Sequence, residues 1–103
     1  MTGAGDDVGA GALRLDKWLW QARLCKSRSF AAALLAEGRV RVNGRPVSKP
    51  ARTITPGDVL TLPLSGTIRV VRILALGSRR GPAAEAMALY VEIGAPVAAP
   101  SLD

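Results

Sequence analysis

At 103 residues, with 49% apolar residues but only 4% aromatics, the chain holds one domain with a modest core in which each large side chain matters. It has no His and a single Cys, Cys25, which excludes His/Cys zinc sites, His-based acid/base catalysis and any internal disulfide, and suits a reducing cytoplasm. The net charge of +6 is unevenly placed: residues 14–52 carry ten Lys/Arg against Asp16 and Glu37, whereas residues 53–103 balance four Arg with four acids. Charge gathered in this way is the footprint of a polyanion binder.

The first twelve residues, rich in Gly and carrying Asp6 and Asp7, read as a disordered leader that lacks the basic and apolar parts of a signal peptide. Leu15, Trp18, Leu19 and Ala22 recur at i, i+3, i+4 and i+7, which predicts a short helix with Arg14, Lys17 and Gln21 on another face. Asp16 near its start suits the positive end of the helix dipole, as a cap or ion-pair partner. Trp20 falls off the stripe, and packing on a neighbouring element is the favoured role. A second helix follows, capped by Ser27 or Ser29, with Phe30, Ala31, Leu34 and Leu35 as its apolar stripe and Gly38 as its stop. Cys25 fits as a small side chain packed between the two helices.

Arg39-Val40-Arg41-Val42 alternates polar and apolar residues and runs into Asn43-Gly44, a strong hairpin signal. Arg45-Pro46-Val47 begins the return strand, and Pro46 implies an edge or a short strand. Thr55-Pro56-Gly57-Asp58 has the residues of a type II turn, with Asp58 as a turn residue. Strands are expected over Val59–Leu64 and Ile68–Leu76, then a loop, then a helix from Pro82 to about Val91 with Ala83, Met87 and Tyr90 on one side. Residues 94–103, small and Pro-containing, read as a flexible tail. The expected fold class is α+β: two N-terminal helices packed on a small antiparallel sheet, then a short C-terminal helix. The expected organisation is leader 1–12, domain 13–76, loop and helix 77–93, tail 94–103.

Strand alternation turns Arg39 and Arg41 outward when Val40 and Val42 face the core. With Arg14, Lys17 and Arg28 on the same side, they would form one positive surface, joined by the free N–H groups of the second helix. Arg outnumbers Lys eleven to three, and the guanidinium fork binds phosphate bidentately. Enzymatic readings are weak: the chain has no Gly-rich phosphate loop, no paired carboxylates, and a thiol without a base. The apolar faces are committed to a core, so membrane binding is not expected.

Taken in order, Arg14-Leu15-Asp16-Lys17-Trp18-Leu19-Trp20, Ala22-Arg23, Lys26-Ser27-Arg28, Gly38-x-Val40-x-Val42-Asn43-Gly44, Ser48-Lys49-Pro50 and Gly57-Asp58 closely resemble the αL motif, the RNA-binding domain named after ribosomal protein S-four. The opening segment, with Arg79-Arg80-Gly81-Pro82-Ala83, Glu85-Ala86 and Leu89-Tyr90, resembles the heat shock protein 15 family in particular. With these residues, the expectation is a non-enzymatic, monomeric, cytoplasmic protein without cofactor or metal. The partners that the resemblance implies are ribosomal RNA on the large ribosomal subunit, transfer RNA beside it, and blocked subunits still carrying a nascent chain, which it would help to rescue or recycle. The RNA-binding residues expected on this basis are Arg14, Lys17, Lys26, Ser27, Arg28, Arg39, Arg41 and Asn43, with Arg45 and Lys49 completing the set. Better-known members continue into a long charged C-terminal extension, which is not expected in a chain ending at Asp103. Two other readings stay open: the RNA-guiding module of a pseudouridine synthase or methyltransferase, for which about fifty residues after Thr53 leave no room for a catalytic domain, and a protein-interaction module, which would bind its partner independently of salt.

Overall fold

The computed structural model describes residues 8–9, 11–64, 66–93 and 97–98. The elements run β1 (Val8–Gly9), β2 (Ala12–Arg14), α1 (Leu15–Gln21), α2 (Arg28–Ala36), β3 (Val40–Val42), β4 (Arg45–Val47), β5 (Thr53–Ile54), β6 (Val59–Leu64), β7 (Thr67–Ile73), α3 (Ala83–Met87), β8 (Tyr90–Glu92) and β9 (Val97–Ala98). The main sheet is antiparallel in the order β4-β3-β6-β7-β8, with β9 also paired to β7, and β1-β2-β5 form a second, small sheet. This is the expected α+β architecture of two helices packed on an antiparallel sheet.

The apolar stripe of α1 works as its spacing predicts: Leu15, Trp18, Leu19 and Ala22 are all buried. They meet Ala31, Leu34 and Leu35 of α2 and the inward residues of the sheet, Val40, Val42, Leu60, Leu62, Val71 and Ile73. Trp18 lies edge-on to Tyr90 with ring centroids 6.3 Å apart. Its indole Nε1 donates to the Ala75 carbonyl (3.0 Å), so a fully buried Trp keeps its polar atom satisfied.

The turns follow their chemistry. Ser27 caps α2, its hydroxyl accepting from the Phe30 N–H (3.0 Å). Asn43 and Gly44 both take positive φ, 52° and 83°, as a two-residue hairpin turn of the primed kind requires. Gly57 at φ 99° and the Asp58 N–H to Thr55 carbonyl bond (3.1 Å) are those of a type II turn. Pro46 lies on the edge strand β4, as its missing N–H demands. Pro63 sits inside β6, but β3 pairs with β6 only at Leu60 and Thr61, so the proline lies beyond that ladder.

The structure departs from sequence expectation in six places, one being that β7 ends at Ile73 and not at Leu76. The leader is not unstructured throughout: Val8–Gly9 pairs with Ala12–Leu13, and β2 continues onto β5, because Leu13 buries its side chain. Residues 1–7 and 10 lie outside the described residues. Within the expected tail, Val97–Ala98 pairs with the start of β7, and the rest of it lies outside the described residues. The last helix stops at Met87, and Tyr90 begins a strand that places its ring on Trp18. Gln21 belongs to the interior, with its side-chain amide Nε2 donating to the Leu76 carbonyl (3.0 Å). Phe30 is 41% exposed, since it stands about 90° around α2 from the centre of the Ala31/Leu34/Leu35 stripe.

Cys25 is buried as expected, and burial pushes its thiol from 9.0 up to about 11. The unfolded chain therefore ionises first, so this thiol's stabilising contribution is complete below pH 9 and disappears as pH rises from 9 to about 11. The difference in melting temperature between wild type and Cys25→Ala should shrink over that window and stay constant below it. Leu19→Ala and Leu34→Ala should each cost about 2–5 kcal/mol in denaturant titrations, the range for buried Leu truncations.

Candidate nucleic-acid interface

The polar centre of the helical side is Asp16, which is only 4% exposed. Arg14 grips its carboxylate with two parallel bonds, Nε to Oδ1 (3.1 Å) and Nη2 to Oδ2 (2.9 Å). Arg28, the first residue of α2, approaches the same group at 3.5 Å. One buried carboxylate thus holds two guanidiniums side by side at the start of α2. Ser27 fixes the end of α2 beside them, so N–H groups and cations share one corner. Lys17 is half-buried one residue beyond Asp16, and Lys26 is exposed with its ammonium 5.7 Å from the Phe30 ring centre.

The loop from β4 to β5 lies against this corner. The Leu15 N–H donates to the Arg52 carbonyl (2.8 Å) and the Asp16 N–H to the Pro50 carbonyl (3.3 Å). Val47, Ser48, Lys49, Ala51 and Arg52 line a groove of about 400 Å³ there. Arg14, Ser27 and Arg28 are therefore brought together, and the backbone of the loop that carries Lys49 and Arg52 is tied to the start of α1.

Arg39 and Arg41 are not on this side. Val40 and Val42 point into the core beneath the helices, so alternation sends Arg41 through the opposite face of the sheet. There Arg39 and Arg41 line a shallow hollow of about 130 Å³ with Thr61, Pro63 and Ile68. Arg41 Nη1 reaches the Gly44 carbonyl (3.3 Å), and Arg39 lies 3.8 Å from Glu37. Arg45 shares the strand face of Val47 and is exposed at the hairpin tip. The single positive surface expected from the sequence is thus two surfaces, because a three-residue strand with buried valines cannot turn its arginines to the helix side.

Asn43 acts as a brace. Its Oδ1 accepts from the Val59 N–H (2.9 Å) and its Nδ2 donates to Asp58 Oδ1 (3.0 Å), while Asp58 Oδ2 accepts from the Thr55 N–H (2.9 Å). This network fixes the hairpin on the Pro56-Gly57 turn. Other cations are also structural. Arg23, at φ 59°, donates from Nε to the Gly81 carbonyl (2.6 Å), and Arg80 stacks on half-buried Trp20 at 5.7 Å and donates to its carbonyl (3.0 Å). Arg69 makes a bidentate pair with Glu92 across β7 and β8, which raises the guanidinium's proton affinity and lowers that of the carboxyl. Two exposed residues were missed by sequence reasoning: Arg52, legible only as one more cation, and Phe30, whose angular offset was the available signal.

Two helices, a capped α2 corner and a braced hairpin define an S4 domain, and the profile of the family described as "S4 domain" matches residues 13–60. Heat shock protein 15 of Escherichia coli (strain K12) is 41% identical over 80 residues, 78% of this chain and 59% of that protein. The chain therefore spans less than two thirds of the length of that relative. The chain belongs to the heat shock protein 15 family. A solved structure described as a trimeric structure of Vibrio cholerae Heat Shock Protein 15 superposes with a TM-score of 0.75 at 36% identity, covering 80% of this chain and 82% of that one. The "RQC P-site tRNA stabilizing factor" of Bacillus subtilis (strain 168) is 34% identical over 61 residues, 59% of this chain and 70% of that protein.

Removing the Asp16 carboxylate should leave two guanidiniums facing each other over a buried gap. Asp16→Ala should lower stability by roughly 2 kcal/mol or more, measured by thermal or urea denaturation. Adding Arg28→Ala to it should recover part of the loss, since the repulsion then has one partner fewer.

Proposed function

We propose that this chain is a non-enzymatic RNA-binding protein that docks on ribosomal RNA of the large subunit and acts on blocked subunits that carry a nascent chain on transfer RNA. The observation that carries this reading is the paired Arg14 and Arg28 on buried Asp16, set beside the α2 N-terminus and the Lys49/Arg52 groove. Two guanidiniums held by one carboxylate are pre-oriented, so the corner presents a fixed positive charge to phosphates with little further ordering. The names of the relatives support the ribosomal setting, one of them being a P-site tRNA stabilizing factor.

The mechanism is recognition. Cations and helix N–H groups neutralise backbone phosphates, and shape decides the site, because the deep major groove of RNA is closed to side chains. The second cationic surface, Arg39 and Arg41 on the back of the sheet, lets one domain touch RNA on two sides. A cytoplasmic monomer suffices for this, since both surfaces are made within one chain. Nucleophilic chemistry has no support here: the chain has no His, and its one thiol is buried and held protonated.

With five or six phosphates neutralised, log K for ribosomal RNA should fall by about four to five per decade of salt. Arg41→Ala should weaken binding and lower that slope by about one while leaving the melting temperature unchanged, because the side chain is exposed. In sucrose gradients of cell extract at physiological salt, the protein should sediment with free large subunits rather than small subunits or intact ribosomes. Equal loading of all three particles would contradict the proposal, since phosphate attraction alone does not discriminate among them.

A further inference from the structure

Resting on the RNA reading above, we infer that the groove of the β4–β5 loop is a pocket for one unpaired nucleotide of the bound RNA. Its volume of about 400 Å³ lies at the lower end of the range for small-ligand sites, large enough for a base and its sugar. Its lining divides by chemistry. Val47 and Ala51 offer apolar surface for a base, Ser48 a hydroxyl for a base edge or 2′-OH, and Lys49 and Arg52 two cations for the flanking phosphates. Lys49 and Arg52 are both exposed, and among the described residues Arg52 uses its Nε on the Thr53 carbonyl (3.2 Å). The two terminal nitrogens of that guanidinium remain for a bidentate phosphate contact.

The pocket is held in shape before any RNA arrives. The Arg52 N–H donates to the Lys49 carbonyl (3.0 Å), closing the loop over Pro50 and Ala51. The Pro50 and Arg52 carbonyls accept from the first two residues of α1, so the back of the loop is anchored on the element that carries Asp16. The loop that lines the groove is thus tied through its backbone to the start of α1, the element that carries Asp16. A fully paired helix presents no base to such a pocket, whereas a bulge or loop does. The groove thus distinguishes irregular RNA from uniform duplex, which the cations alone do not.

The test uses the full chain and two short RNA hairpins of equal length, one fully paired and one with a single bulged nucleotide, measured by fluorescence anisotropy. Wild type should prefer the bulged hairpin by about tenfold, the scale of one base stacked on protein. Ala51→Trp, at an exposed position, should fill the pocket and bring affinity for the bulged hairpin down to that for the paired one. Placing 2-aminopurine at the bulge should give a change in emission on binding to wild type that Ala51→Trp abolishes. Equal affinity of wild type for both hairpins, or a preference that survives Ala51→Trp, would overturn the pocket while leaving the RNA reading intact. Failure to bind either hairpin at low salt would overturn the RNA reading itself, and the pocket with it.

Discussion

The arrangement of the helical side depends on one buried carboxylate. An isolated ionised Asp in a protein interior is costly, and the cost is met here only by paired and hydrogen-bonded partners. Arg14 and Arg28 are those partners, and they come from different elements, β2 and α2. Satisfying Asp16 therefore fixes where α2 begins relative to β2 and α1. The same residue donates its backbone N–H to Pro50, which brings the β4–β5 loop to the same place. A single requirement, that a buried charge be matched, thus assembles cations, helix terminus and groove in one corner.

A second constraint ties the front of the chain to its back. Helix α1 has only seven residues and would be marginal alone. Trp18 Nε1 and Gln21 Nε2 reach the Ala75 and Leu76 carbonyls, and Arg23 reaches Gly81. Arg80 returns the contact by stacking on Trp20. Segment 75–81 has no ladder of its own, so these side chains satisfy carbonyls that a strand partner would otherwise take. The residues beyond the S4 match at 13–60 are thus part of the packing of α1 and not an appendage to it.

What could be read from the sequence was what period and turn chemistry specify. The stripes of α1 and α2, the Asn43-Gly44 hairpin, the Pro56-Gly57 turn and the Gly38 stop each rest on local rules that packing did not override. What escaped depends on which side of a layer a residue leaves. Arg41 and Arg28 are both simply basic in the sequence, yet the burial of Val40 and Val42 sends Arg41 through the far face of the sheet. Gln21 looked like surface because its type is polar, but it answers a carbonyl 55 residues away. The strand at Tyr90–Glu92 was hidden behind Ala-rich helix propensity, which tertiary pairing with β7 overrides. Among the ten candidate RNA-binding residues, Asn43 is a case where the residue type fitted but the side chain is engaged in bracing the hairpin.

The division of charge between two faces changes how the domain can work. Cations on one face only would give a lid laid on RNA, and removing any one of them would reduce affinity in much the same way. Cations on both faces of a sheet with the helices packed on one of them give a wedge. On the proposed RNA-binding reading, phosphates met by Arg39 and Arg41 would belong to a different RNA segment, or a different turn, from those met by Arg14 and Arg28. The hairpin β3–β4 is the thin edge of that wedge, with Arg41 on one side and Arg45 on the other. The Asn43–Asp58–Thr55 network stiffens that edge so that both rows of cations keep a fixed spacing. Attraction to phosphate is indifferent to sequence, but a rigid spacing between two cationic rows is not indifferent to RNA shape. On the proposed reading, selectivity for one particle among many polyanions would follow from the geometry held by Asp16 and Asn43.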